Sequence, residues 1–162
     1  MSRKRHGQLW QTLLGPGMLE NAWGGVLSKY PRAERPPAIH EFAQEAPRRL
    51  ASLRQQLERG VYVPQPAALV EIPKPHKPGQ TRPISVLRPE DRIVLSALHR
   101  VLEPAFERQF PDGSHAYRRG RGVSSCARAV EHHLRTGFRH VAGADIHRYF
   151  ENIPRPALLN QL

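Results

Sequence analysis

Apolar and polar positions follow two rhythms along this chain. From Ile39 onward, Ile39, Phe42, Ala43, Ala46, Leu50, Leu53 and Leu57 recur at threes and fours with Arg and Gln between them. That spacing predicts an amphipathic helix. Pro47 lies inside the pattern and predicts a kink or a restart, and Gly60 is placed to end it. Ahead of it, Gln8–Leu14 and Leu19–Leu27 read as two short helices split by Gly15, Pro16 and Gly17. Tyr30 to Pro37 reads as a loop without regular structure, because Pro31, Pro36 and Pro37 forbid it.

The rhythm then changes. Val61–Val63, Ala68–Ile72 and Arg82–Val86 read as extended, and Pro73–Thr81 between the last two reads as a loop. Together they predict a β-hairpin with a long basic tip. Helical spacing returns at Pro89, Glu90 and Asp91, where acidic residues suit the positive end of a helix. Ile93, Val94, Ala97, Leu98, Val101 and Leu102 form its apolar face, with a kink expected at Pro104. Phe110–Gly122 is irregular and rich in arginine. Val123–Leu134 is a further helix with Val123, Cys126, Ala127, Val130 and Leu134 on one face, and Gly137 stops it. Cys126 is expected there as a small core residue. His140–Ile146 reads as a short buried strand delivering Asp145 at its end. Pro156 begins a new helix whose Ala157, Leu158, Leu159 and Leu162 run to the last residue, the pattern expected of a piece of a longer protein.

Composition narrows the classes. Charged residues are 24% and hydrophobic residues 39%, enough for a core. No run of eighteen apolar residues occurs, so no membrane partner is expected, and no apolar signal core follows the basic N-terminus. The expected location is the cytoplasm. The single cysteine excludes a disulfide framework. Lys plus Arg number 25 against 14 Asp plus Glu, a net charge of +11. The excess is spread along the chain, and arginine far outnumbers lysine. This is consistent with solubility alone, but it also fits a polyanionic partner, because arginine makes bidentate phosphate contacts.

Three segments carry candidate chemistry. The hairpin tip from Lys74 to Arg82 concentrates cations, and it reads either as an exposed basic turn or as a grip on a polyphosphate. Arg118, Arg119 and Arg121 lie on a loop with Gly120 and Gly122, which is either a solvated cluster or a phosphate-backbone contact. Asp145 at a strand end is either a turn residue or a ligand for a hard cation, while two-metal chemistry needs several carboxylates. Glu131 and Glu151 have no evident claim to that role. His132 and His133 are adjacent and would point apart on a helix, so they are not expected to hold a metal.

The order of these segments is more specific than any one of them. Ile72-Pro73-Lys74-Pro75 is followed by Arg82-Pro83-Ile84, Asp91-Arg92-Ile93-Val94 and Val101-Leu102-Glu103-Pro104-Ala105-Phe106. Then come Ala116-Tyr117-Arg118-Arg119-Gly120-Arg121 and Ala144-Asp145-Ile146-His147-Arg148-Tyr149-Phe150-Glu151-Asn152-Ile153. From about Leu50 onward this series resembles the bacterial reverse transcriptases of the group II intron-like type, a set that includes CRISPR-associated enzymes. The resemblance implies an α+β fold: an incomplete right-hand polymerase with a helical N-terminal extension (1–37), fingers (38–137) and a truncated start of the palm (138–162). It implies that Lys74 and Arg82 bind the nucleotide triphosphate. Phe150 is then the gate against a ribose 2′-hydroxyl, and Lys77, Arg118, Arg119 and Arg121 lie along nucleic acid. It implies that Asp145, with the Ile146 carbonyl, contributes to a site for two Mg²⁺ ions. The implied partners are an RNA template, a DNA or RNA primer, deoxynucleotide triphosphates and a fused or separate protein.

The chain departs from the family pattern in four places. Arg119 stands where the family usually has proline, and His147 where it often has lysine or serine. Tyr30–Pro37 replaces a glycine-rich stretch. No Asp-Asp pair occurs, so the second catalytic block is not in this chain. The expectation is the N-terminal part of an RNA-directed DNA polymerase, inactive alone. The alternative is a non-catalytic RNA-binding module of the maturase or remnant kind.

Overall fold

A computed structural model describes residues 3–75, 77–150 and 152–160, with side chains from Gly7 onward. The expectations that touch Met1, Ser2, His76, Glu151, Gln161 and Leu162, and the side chains of the basic N-terminus, lie outside the described residues. The chain forms two compact units, 1–110 and 111–162.

The first unit is built on helices. Helix α1 (Arg3–Leu13) and α2 (Met18–Leu27) are separated by the Gly15-Pro16-Gly17 turn, where Gly17 takes the left-handed φ of 76°. Helix α3 (Pro37–Gln44) stops at Glu45, and α4 (Ala46–Glu58) starts with Pro47 in its first turn. A proline there lacks only a donor that the first turn leaves unused, so the restart costs little. Gly60 closes α4 at φ 65°: its N–H bonds the Leu57 carbonyl and the Val61 N–H reaches back to the Gln56 carbonyl, each at 3.0 Å. Tyr30–Pro37 is more ordered than its prolines predict. A short 3₁₀ turn occupies Arg32–Glu34, and Pro37 is the first residue of α3.

Helix α5 (Pro89–Glu107) is the spine of this unit. Helices α1, α2 and α3 pack against it. Ile93, Val94, Ala97 and Val101 from α5 meet Leu19, Ala22, Trp23 and Val26 from α2 and Ile39 and Phe42 from α3. The Trp23 and Phe42 rings lie 4.6 Å apart. Each buried Val, Leu, Ile or Phe side chain among them stabilises the fold by about 1.5–3 kcal/mol. At Gly25 on α2 the approach is close, since a Cβ there would stand 2.9 Å from the Arg100 guanidinium on α5. The kink expected at Pro104 does not end α5, which continues to Glu107.

Strands β1 (Ala68–Pro73) and β2 (Thr81–Val86) pair antiparallel, with Val70 opposite Ile84 and Ile72 opposite Arg82. They form the only sheet among the described residues. Two expected extended segments are not strands. Val61–Val63 is a connector without regular structure, and so is His140–Ile146, the expected first palm strand. A strand exists through the ladder it shares with a neighbour. Neither segment has a neighbouring strand to share one with among the described residues.

In the second unit, α6 (Val123–Arg135) ends at Gly137, φ 104°, and α7 (Arg155–Leu159) follows a turn over 147–150. No residue of α6 is buried. Cys126 is exposed, not a core residue, and shares an open helix face with Val123, Val130 and Leu134. The spacing placed these side chains on one face, but no described element covers it. The structure is thus mixed helical with one small antiparallel sheet, compatible with the α+β class. No helix among the described residues is long and apolar enough to cross a membrane.

Candidate nucleic-acid interface

Two sets of cations in the first unit do different work. Some arginines turn inward. Arg49 on α4 pairs with Glu90 in the first turn of α5, and its guanidinium also lies over the Phe42 ring, 4.6 Å from the centroid. Arg54 donates to the Leu14 and Gly15 carbonyls and pairs with Glu20 at 3.2 Å. Arg92 donates to the Tyr30 hydroxyl and lies over its ring. These arginines hold helices together, and sequence spacing alone did not separate them from surface cations.

The other group is on the hairpin. Its tip is closed by main-chain bonds: Lys74 N–H to Gln80 O at 2.9 Å, and Gln80 N–H to Lys77 O at 3.1 Å. Gly79 takes a left-handed φ of 77° in this turn. The Lys74 ammonium, half-buried, donates to the Gln80 side chain at 3.5 Å, while Lys77 and Arg82 are exposed. Arg82 stands opposite Ile72, one pair in from the tip, so the fold brings Lys74, Lys77 and Arg82 to one end of the hairpin. Both faces of the two-stranded sheet are open, with Leu69 and Val70 exposed.

The segment leading into the hairpin is anchored at α5. The Tyr62 hydroxyl and, at 3.4 Å, the Gln65 N–H donate to the buried Asp91 carboxylate. Burial, and then the bond to Asp91, push the Tyr62 hydroxyl well above its ordinary pKa.

In the second unit the arginine loop sorts its own cations. Arg118, only 8% exposed, donates through one Nη1 to the Pro111 and Ser114 carbonyls, each at 2.9 Å. Arg121 bonds the Asp112 carbonyl and pairs with its carboxylate at 3.2 Å. Arg119 is exposed. The loop is thus a built structure: Arg118 organises it, and Arg119 faces solvent. Ser125 caps the start of α6, its hydroxyl accepting the Gly122 N–H and lying 2.9 Å from the His115 ring.

Asp145, expected at the end of a buried strand, is exposed on a segment without regular structure, and Ile146 and Phe150 are exposed with it. The turn that follows is held by Asn152, whose side-chain amide donates to the His147 carbonyl at 3.1 Å, and Phe150 packs edge-on to Tyr149. No group of three His, Cys, Asp or Glu that could hold a metal occurs among the described residues. Asp145 and the Ile146 carbonyl supply one carboxylate and one carbonyl. That donor set does not by itself fit a pair of Mg²⁺ ions, which share several carboxylates.

No protein-family model matches the chain. Individual relatives do. The chain is 34% identical over 114 residues to protein YkfC of Escherichia coli K12, covering 68% of this chain and 29% of YkfC. It is 27% identical over 118 residues to the group II intron-encoded protein LtrA of Lactococcus lactis, covering 73% of this chain and 19% of LtrA. The chain is similar to group II intron-encoded proteins. A COX1/OXI3 intron 1 protein of Saccharomyces cerevisiae is 28% identical over 115 residues, 70% of this chain and 13% of that protein. The chain therefore spans less than a third of the length of each of these relatives.

Proposed function

We propose that this chain is the fingers and the start of the palm of an RNA-directed DNA polymerase of the group II intron-like type. One observation carries the reading. The ordered series from Lys74 through Asp145 falls within a chain that matches LtrA over 73% of its length. In this reading Lys74 and Arg82, held together at the hairpin tip, meet the phosphates of an incoming deoxynucleotide. Lys77, Arg119 and Arg121 contact the backbone of template and primer, and Arg118 shapes the loop that presents them. Phe150 narrows the space beside the sugar. Asp145 offers one carboxylate toward the metal site, and this chain's own residues do not complete that site. RNA is the expected ligand of the chain by itself.

The reading is tested on the coding DNA and on the protein. An open frame past codon 162 that encodes an aromatic-x-Asp-Asp block supports it. A stop codon at that point, with no second block nearby, overturns the polymerase reading and leaves an RNA-binding module. The purified chain should bind RNA with an affinity that falls steeply with salt.

A further inference from the structure

We infer that Tyr117 is a stacking platform for an unpaired base of single-stranded RNA. The inference rests on the RNA-binding reading above and adds to it the residue that meets a base.

Tyr117 is 100% exposed, more so than any other large hydrophobic side chain among the described residues. It also has a φ of 57°, the left-handed region that an aromatic residue rarely occupies. Both conditions are unfavourable for an isolated loop. They persist because the residues that follow are fixed. The adjacent Arg118 is buried on the Pro111 and Ser114 carbonyls. The Arg121 N–H closes a turn onto the Arg118 carbonyl at 3.2 Å, and the Arg121 side chain is tied to Asp112. Gly120 takes the second left-handed position, φ 72°. The loop therefore holds the ring outward in a strained conformation that its neighbours over-determine.

The chemistry around the ring selects the partner. Arg118, Arg119 and Arg121 follow it within four residues, and Arg119 is exposed. Gly120 and Gly122 separate and follow these arginines, so no bulky apolar side chain stands between Tyr117 and Gly122. An aromatic face two residues from the exposed Arg119 guanidinium suits single-stranded nucleic acid: the cation meets a phosphate and the ring takes a base. In duplex RNA the bases are already stacked inside, so the ring selects an unpaired strand.

The test uses the full 162-residue chain and a short single-stranded RNA carrying one 2-aminopurine, read by fluorescence anisotropy and by quenching of the base. Wild type and Tyr117→Phe should bind alike and quench alike. Tyr117→Ala should bind about tenfold more weakly and lose the quenching. Its dependence on salt should match wild type, whereas Arg119→Ala should lower the salt slope by about one. Tyr117→Gly relieves the left-handed φ, so it should melt no lower than wild type while losing the same affinity. That variant separates loss of the ring from loss of folding. Equal affinity and equal quenching for wild type and Tyr117→Ala would overturn the inference while leaving RNA binding intact. An equal loss on duplex RNA would also overturn it, as would self-association that the Ala variant alone abolishes. A wild-type chain that binds no RNA would overturn both the inference and the reading beneath it.

Discussion

The Tyr62 hydroxyl donates to the buried carboxylate of Asp91, joining the connector that enters the hairpin to the first turn of α5. Asp91 is only 5% exposed, so the few donors that reach its carboxylate stand in for water. Removing one of them, as in Tyr62→Phe, should destabilise the chain by about 1–3 kcal/mol in urea unfolding. The direction of the Tyr62 shift sets the pH behaviour. The folded chain keeps the phenol protonated above the ordinary tyrosine value of 10.0. Its contribution is thus fully present below that pH and is lost as pH rises beyond it. The gap between wild type and Tyr62→Phe should narrow in alkaline buffer. A gap that widens there would contradict the assignment.

Phe42 joins two layers of the core, with the Trp23 ring beside it and the Arg49 guanidinium over it. Phe42→Ala should cost about 3–5 kcal/mol, since the buried ring leaves a cavity that the helices fill only in part. Tryptophan fluorescence during unfolding should shift its midpoint accordingly.

Arg118 satisfies two carbonyls with one nitrogen. Arg118→Ala should speed amide exchange across 111–122, because the loop loses the bonds that fix it. Arg119→Ala, at an exposed site, should leave that exchange unchanged. Equal exchange in both variants would remove Arg118 from its organising role.

Arg82 separates the two uses of the hairpin. In a polymerase containing this chain, Arg82→Ala should raise the KM for nucleotide several-fold more than it weakens RNA binding. Steady-state kinetics beside a binding titration check this. Equal losses would mean that the hairpin grips nucleic acid.

Much of the helical framework was legible because it is written in local chemistry. Pro47 restarts a helix where its missing N–H does no harm, and Gly60 and Gly137 end helices by taking left-handed φ. The basic hairpin was legible from two extended segments on either side of a proline-rich tip. Other features depend on neighbours that sequence spacing does not reveal. His140–Ile146 has the apolar content of a strand but no partner strand among the described residues, and Asp145 is exposed with it. Cys126 lies on an apolar helix face that no described element covers. Arg49, Arg54 and Arg92 look like surface cations in the sequence, yet each meets a group from a distant helix or turn. Only the fold shows that Arg118 turns into its loop while Tyr117 turns out. The motif order pointed to the hairpin tip and the arginine loop, and the structure sorted their side chains into those that hold each segment together and those that are exposed.

The central claim is that this chain belongs to a machine that copies RNA into DNA. The most direct test is primer extension on an RNA template, using the full product of the reading frame that contains this chain. The account predicts extension with deoxynucleotides in wild type, and loss of synthesis with RNA binding retained in Asp145→Ala. RNA binding with no extension in wild type, or extension at the wild-type rate in Asp145→Ala, would contradict it.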